Sequence, residues 1–81
     1  MPRFALYHYP TCFFCHRVRK VLSKLGIEAE LRNIHEDARW RNDIVEARGR
    51  QTVPVLRIES DDGEVEWMGE SRDIVIYLSS L

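Results

Sequence analysis

The chain is short of the features that would commit it to a membrane, a nucleic acid or an oxidising compartment. None of its apolar runs approaches the roughly 18 residues that a bilayer-spanning helix needs, so no membrane partner is expected. Its formal charge of −1 gives no electrostatic reason to expect a nucleic-acid partner. The start, Met1-Pro2-Arg3-Phe4-Ala5-Leu6-Tyr7, has no apolar core followed by a small-residue cleavage site, which argues against a signal peptide and for a reducing, cytoplasmic setting. No repeat, linker or low-complexity segment divides the 81 residues, and one domain spanning 1–81 with a small core is expected. Cysteine is scarce as well, with two in the chain. In a reducing compartment such a pair reads as catalytic or metal-binding before it reads as a structural staple.

The two stand in Thr11-Cys12-Phe13-Phe14-Cys15-His16, where a strand-like run gives way to a helix-like one. The first turn of a helix leaves backbone N–H groups unpaired and presents the positive end of the dipole, so a negative sulfur is stabilised there. A free thiol titrates at about 8.5, and Cys-X-X-Cys thiols at helix N-termini fall to roughly 3.5 to 7.5. Cys12 is therefore the expected nucleophile. Cys15, one turn further in and with less solvent and less help from the dipole, is the expected resolving thiol.

Around this pair the pattern predicts β-α-β-α-β-β-α. Phe4 to Tyr9 reads as a largely buried strand stopped by Pro10. Cys15, Val18, Leu22 and Leu25 then recur at helical steps, with Val21 beside them, until Gly26 stops the helix. Ile27 to Ile34 alternates as an edge strand, with Ile27, Ala29 and Leu31 on its covered face. A second helix is expected from about Glu36 to Arg48, with Trp40, Ile44 and Ala47 as its apolar stripe and Gly49 at its end. Val53 to Ile58 and Val65 to Met68 form an antiparallel pair around an Asp62-Gly63 turn. The last helix starts at Glu70 or Ser71, with Ile74, Leu78 and Leu81 on one face. A strand-helix-strand start whose helix opens on Cys-X-X-Cys points to an α/β, thioredoxin-like fold: a four-stranded mixed sheet flanked by three helices.

Three stretches together resemble the glutaredoxin family over essentially the whole chain: Tyr9-Pro10-Thr11-Cys12-Phe13-Phe14-Cys15-His16-Arg17, Gln51-Thr52-Val53-Pro54 and Gly69-Glu70-Ser71-Arg72-Asp73-Ile74. The resemblance implies a glutathione site beside Cys12. In it Pro54 is a cis proline, Val53 offers its backbone N–H and C=O to the cysteinyl part of glutathione, and the aromatic Phe14 lines the groove. Glu70 and Ser71 open the last helix, where N–H groups suit a carboxylate and Glu70 an ammonium, matching the γ-glutamyl end. This Glu-Ser pair is closer to the N-terminal domain of glutathione S-transferases than to the Gly-Gly-X-Asp-Asp of many glutaredoxins. Phe13 replaces the proline that usually follows the first cysteine, and Tyr9 replaces a lysine or arginine. Arg50 is a candidate for the missing charge.

Cys12-Phe13-Phe14-Cys15-His16 also matches the haem attachment pattern C-x-x-C-H, but such attachment goes with export and no export signal is visible. Two cysteines and one adjacent histidine do not make the four ligands of structural zinc, and no metal site is predicted. The expectation is a glutathione-dependent thiol–disulfide oxidoreductase acting on protein–glutathione mixed disulfides and small disulfides, as a monomer, with glutathione as co-substrate. The alternative is a glutathione-binding module, either a carrier of a [2Fe–2S] cluster or a transferase-like N-terminal domain.

Overall fold

The computed structural model describes residues 1–81. The elements are β1 (Arg3–His8), α1 (Phe13–Leu25), β2 (Glu30–Asn33), α2 (Ala38–Arg48), β3 (Val55–Glu59), β4 (Val65–Met68) and α3 (Ser71–Ser79), the order predicted from the sequence. They build one mixed sheet in the order β2-β1-β3-β4. β1 runs parallel to β2 with Tyr7 opposite Arg32, and antiparallel to β3 with Tyr7 opposite Val55. β3 and β4 form the hairpin, with Leu56 opposite Met68.

Alternation along β1 sends its side chains into two cores. Leu6 joins Val18, Leu22, Leu56, Ile58, Ile74 and Leu78 between the sheet and the pair α1 and α3. Ala5 and Tyr7 join Ile34, Ile44 and Val55 under α2 on the opposite face. Full burial of one such aliphatic side chain is worth about 1.5 to 3 kcal/mol, so these two layers hold the helices to the sheet.

Helix ends follow the local chemistry. Gly26 takes a left-handed φ of 67°, and hydrogen bonds from Gly26 N–H to Ser23 O (3.2 Å) and Ile27 N–H to Leu22 O (2.9 Å) close α1. Gly49 closes α2 in the same way at φ 76°. α2 starts two residues later than expected, because the Asp37 carboxylate caps it by accepting the Arg39 N–H at 2.9 Å.

Several apolar positions are less covered than the periodicity predicts. Leu25, Leu31 and Leu81 are exposed, as is Ala47. β2 is only four residues long, so Ile27 and Ala29 precede it and pack on the core as loop residues, and Leu31, beside Leu6 on the face that α1 and α3 cover, stays exposed because β2 is the outer strand of the sheet. α3 ends at Ser79, before Leu81. β3 begins at Val55, leaving Val53 and Pro54 in the loop before it.

Candidate active site

Cys12 is the N-cap residue of α1, with extended backbone angles. Its Sγ accepts a hydrogen bond from the Cys15 N–H at 3.3 Å, the cap geometry in which an anionic sulfur is stabilised by an otherwise unpaired amide. The turn that delivers it is held by the Cys12 N–H donating to Tyr9 O at 3.1 Å. Cys12 retains 8% exposure, whereas Cys15, three residues on and facing the core, has none. Burial, reinforced by the adjacent Cys12 thiol, pushes the Cys15 thiol up to about 12. Both sulfurs are free thiols. One thiol thus faces the surface at a helix mouth while its partner stays protonated beneath.

Phe13 and Phe14 lie between them and are exposed, their rings edge to face at 5.4 Å. Tyr9 stacks on His35 at 4.5 Å on the other side of the turn. Arg19 reaches from α1 to Pro10 O at 3.4 Å. His16 faces solvent, as does Arg50.

The remaining predicted residues come out of neighbouring strands at the same end of the sheet. Cys12 follows the end of β1, Val53 and Pro54 precede the start of β3, and Glu70 and Ser71 follow the end of β4. Adjacent strands lie about 4.8 Å apart, so the three segments emerge within about 10 Å of one another. The Val53–Pro54 peptide bond is cis, and Pro54 is buried. No hydrogen bond within the chain uses the N–H or C=O of Val53. Glu70 is the N-cap residue of α3 but gives it no side-chain hydrogen bond, and Ser71 is the first helical residue rather than the cap. The first helical bond runs from Ile74 N–H to Glu70 O at 2.9 Å, which leaves the N–H groups of Ser71, Arg72 and Asp73 without helical partners.

One contributor was not visible in the sequence. The Arg48 guanidinium at the end of α2 lies against Gly69, filling the space a Cβ would occupy there, and makes no hydrogen bond; its Nε is buried. Arg48 thereby braces the segment before Val53 against the corner that carries Glu70 and Ser71. In the sequence Gly69 opens the Gly69-Glu70-Ser71 stretch, and nothing local links it to Arg48. A second network lies on the α2 face, where Tyr7 Oη donates to Asp43 at 2.9 Å and accepts from Arg32 at 2.6 Å. Burial and the bond to Asp43 push the Tyr7 phenol up to about 12. Surface cavities of about 780 and 640 Å³ lie elsewhere, the first at the Leu25 and Leu81 end of the molecule and the second between Trp40 and Trp67.

A family model described as glutathione S-transferase, N-terminal domain, matches residues 6–81. Glutaredoxin 3 of Escherichia coli strain K12 is 32% identical over 60 residues, which cover 74% of this chain and 72% of the relative. Among solved structures, maleylacetoacetate isomerase from Anaeromyxobacter dehalogenans 2CP-1 with GSH bound in its active site superposes with a TM-score of 0.76 at 26% identity, over 98% of this chain and 37% of that one. The chain thus spans about a third of that structure's length. A thioredoxin-like protein, at 22% identity and a TM-score of 0.67 over 89% of this chain and 93% of its own, shares the fold.

Proposed function

The chain belongs to the thioredoxin-like family of glutaredoxins and glutathione S-transferase N-terminal domains, and from that premise we propose that it is a glutathione-dependent thiol–disulfide oxidoreductase with Cys12 as nucleophile. The observation that carries the reading is the capped sulfur: Cys12 Sγ at the N-terminus of α1, accepting the Cys15 N–H, above a fully buried second thiol.

In the monothiol route the Cys12 thiolate attacks the glutathione sulfur of a protein–glutathione mixed disulfide. A Cys12–glutathione disulfide forms, the old S–S bond breaks, and the protein leaves as a thiolate that takes up a proton from water. A second glutathione thiolate then attacks the adduct, glutathione disulfide departs, and Cys12 is returned as thiolate. Glutathione is the reductant: one free glutathione is consumed for each mixed disulfide resolved, and the glutathione disulfide released joins it to the glutathione taken from the protein. In the dithiol route Cys15 displaces the partner bound to Cys12, forming a Cys12–Cys15 disulfide that two glutathiones reduce. Cys15 must lose its proton to do so, which its burial opposes.

The glutathione site would use Val53 for the backbone pair of the tripeptide's middle residue, with Pro54 shaping the loop and Phe14 as an apolar wall. The free N–H groups at Ser71 would take the γ-glutamyl carboxylate, and the exposed Glu70 carboxylate its ammonium. Arg50 has no ion-pair partner and is the charge available for the glycyl carboxylate.

Turnover of a glutathionylated disulfide, coupled to glutathione reductase, tests this with the parent, Cys12→Ser and Cys15→Ser. Loss of activity in the first variant and its retention in the second are expected. Parent-level activity in Cys12→Ser would overturn the assignment. The likeness to transferase structures supports a second reading, in which the same site binds glutathione without reducing disulfides. For a shared [2Fe–2S] cluster, only Cys12 of this chain lies near the surface. A visible absorption band and glutathione-dependent dimerisation would mark that state.

A further inference from the structure

The near-zero net charge conceals a division along the chain. Up to Ile27 there are five lysines and arginines and no acidic residue; from Glu28 onward there are seven basic and thirteen acidic residues. Four of the five N-terminal cations sit on α1: Arg17, Arg19, Lys20 and Lys24. None of them is in an ion pair.

Phe13, Arg17, Lys20 and Lys24 are separated by four, three and four residues. At 100° per residue these positions fall within an arc of about 60°, so they form a single stripe down the helix. The buried residues Cys15, Val18 and Leu22 lie on the opposite side, and all four stripe residues are exposed, Phe13 by 72%. The stripe begins at the first helical residue after Cys12 with an aromatic ring and continues as three unpaired cations over about 16 Å. An extended peptide covers that length with about five residues.

We propose that this stripe docks the protein substrate, and that the preferred substrates carry an acidic segment within about five residues of their glutathionylated cysteine, with an apolar side chain against Phe13. The inference rests on the redox reading for its substrate but not for its surface. Exposed charges of this kind act chiefly through encounter rate and register, so the preference weakens as salt rises.

Three glutathionylated peptides, with acidic, neutral or basic residues beside the cysteine, are compared for the parent and for a variant with Arg17→Gln, Lys20→Gln and Lys24→Gln. One exposed ion pair changes affinity by roughly 1.5- to 5-fold, and three together by on the order of tenfold. The parent is expected to favour the acidic peptide at low salt. The variant is expected to lose about tenfold in kcat/KM on that peptide alone, with turnover of a mixed disulfide between glutathione and a small uncharged thiol unchanged. Equal rates for the three peptides, or an equal loss on all substrates, would overturn the docking surface.

A binding measurement separates this from the redox reading. The acidic peptide with serine in place of cysteine is titrated into the Cys12→Ser protein and followed by fluorescence anisotropy. Saturable binding that the glutamine variant weakens supports the surface even if small-disulfide turnover is absent, in which case only the redox reading falls. No binding overturns the surface even if turnover is present. Binding of an oligonucleotide or of phosphatidylserine vesicles as tight as that of the peptide would overturn the assignment of the partner.

Discussion

Alkylation of the reduced, folded protein should stop at one sulfur. Iodoacetamide reacts with thiolate, and burial with the neighbouring Cys12 thiol pushes Cys15 up to about 12. At pH 8 roughly one Cys15 in ten thousand is then ionised, and at pH 10 roughly one in a hundred. The side chain also has no exposed surface, so the reagent reaches it only through local opening. Mass spectrometry should show a single adduct at Cys12 at pH 8, with the second rising about a hundredfold in rate by pH 10 as the thiolate fraction does. Two adducts forming at comparable rates at pH 8, in protein shown to be folded by circular dichroism, would refute the argument.

The same shift predicts a change in stability with its sign fixed. Cys15 titrates higher folded than its ordinary value of 9.0, so the folded state keeps the proton while the unfolded chain releases it. The stabilisation is therefore complete below about 9 and is lost as pH rises from there toward about 12. Urea midpoints should fall between pH 8 and 10 in the parent and fall less in Cys15→Ala. Once Cys12 is locked in a mixed disulfide, the contributions of its thiol disappear, while the Tyr9 N–H and the Arg19 charge still favour a Cys15 thiolate. Cys15 should then titrate lower than in the reduced protein, becoming a better nucleophile when the dithiol route requires one.

Gly69→Ala should evict the Arg48 guanidinium at a stability cost below the roughly 1 to 3 kcal/mol of an overpacked core, because a flexible side chain can swing away. The expected signature is a raised KM for glutathione shared by Gly69→Ala, Arg48→Ala and the double variant; additive losses would refute the brace. Tyr7→Phe removes the hydroxyl that joins Asp43 to Arg32 and should cost about 1 to 3 kcal/mol in urea unfolding, and an unchanged midpoint would show the network to be inert. His8 is buried with both ring nitrogens unpartnered, and burial, helped by Arg19 and opposed by Glu36, lowers its titration below 6.5. The unfolded chain gains that proton first, so stability should be present above about 6.5 and lost as pH falls through the folded value. His8→Leu should flatten this dependence between pH 7.5 and 5.5, and an unchanged slope would refute it.

What could be read from the residues was whatever chain-local rules determine. The change of period after Cys12, the left-handed stops at Gly26 and Gly49 and the Asp62-Gly63 hairpin each follow from a few neighbouring residues, and all are present. What could not be read needed the third dimension. Leu25, Leu31 and Leu81 continue an apolar pattern past the point where a neighbouring element exists to cover them. Tyr7 reads as one more apolar strand residue until β2 and α2 bring Arg32 and Asp43 to its hydroxyl. Arg48 looks like the basic last turn of a helix, and only the β4 corner, twenty-one residues on, gives it Gly69 to lie against.

This division bears on how the proposed site would fail. Each of its three segments has its own local cause: the cap at Cys12, the proline at 54 and the open helix start at Ser71. Their common location has a different one, the placement of β3 between β1 and β4. The pairs that fix that placement, Tyr7 opposite Val55 and Leu56 opposite Met68, stand within a few residues of the chemistry and are buried or half-buried. Because side chains alternate along a strand, a one-residue slip at either pair would turn these residues to the wrong core and carry the loop ends with them. Tolerance to substitution should therefore be lower at Val55 and Leu56 than at exposed Thr52 or Arg50, even though the latter lie closer to glutathione in the proposed complex.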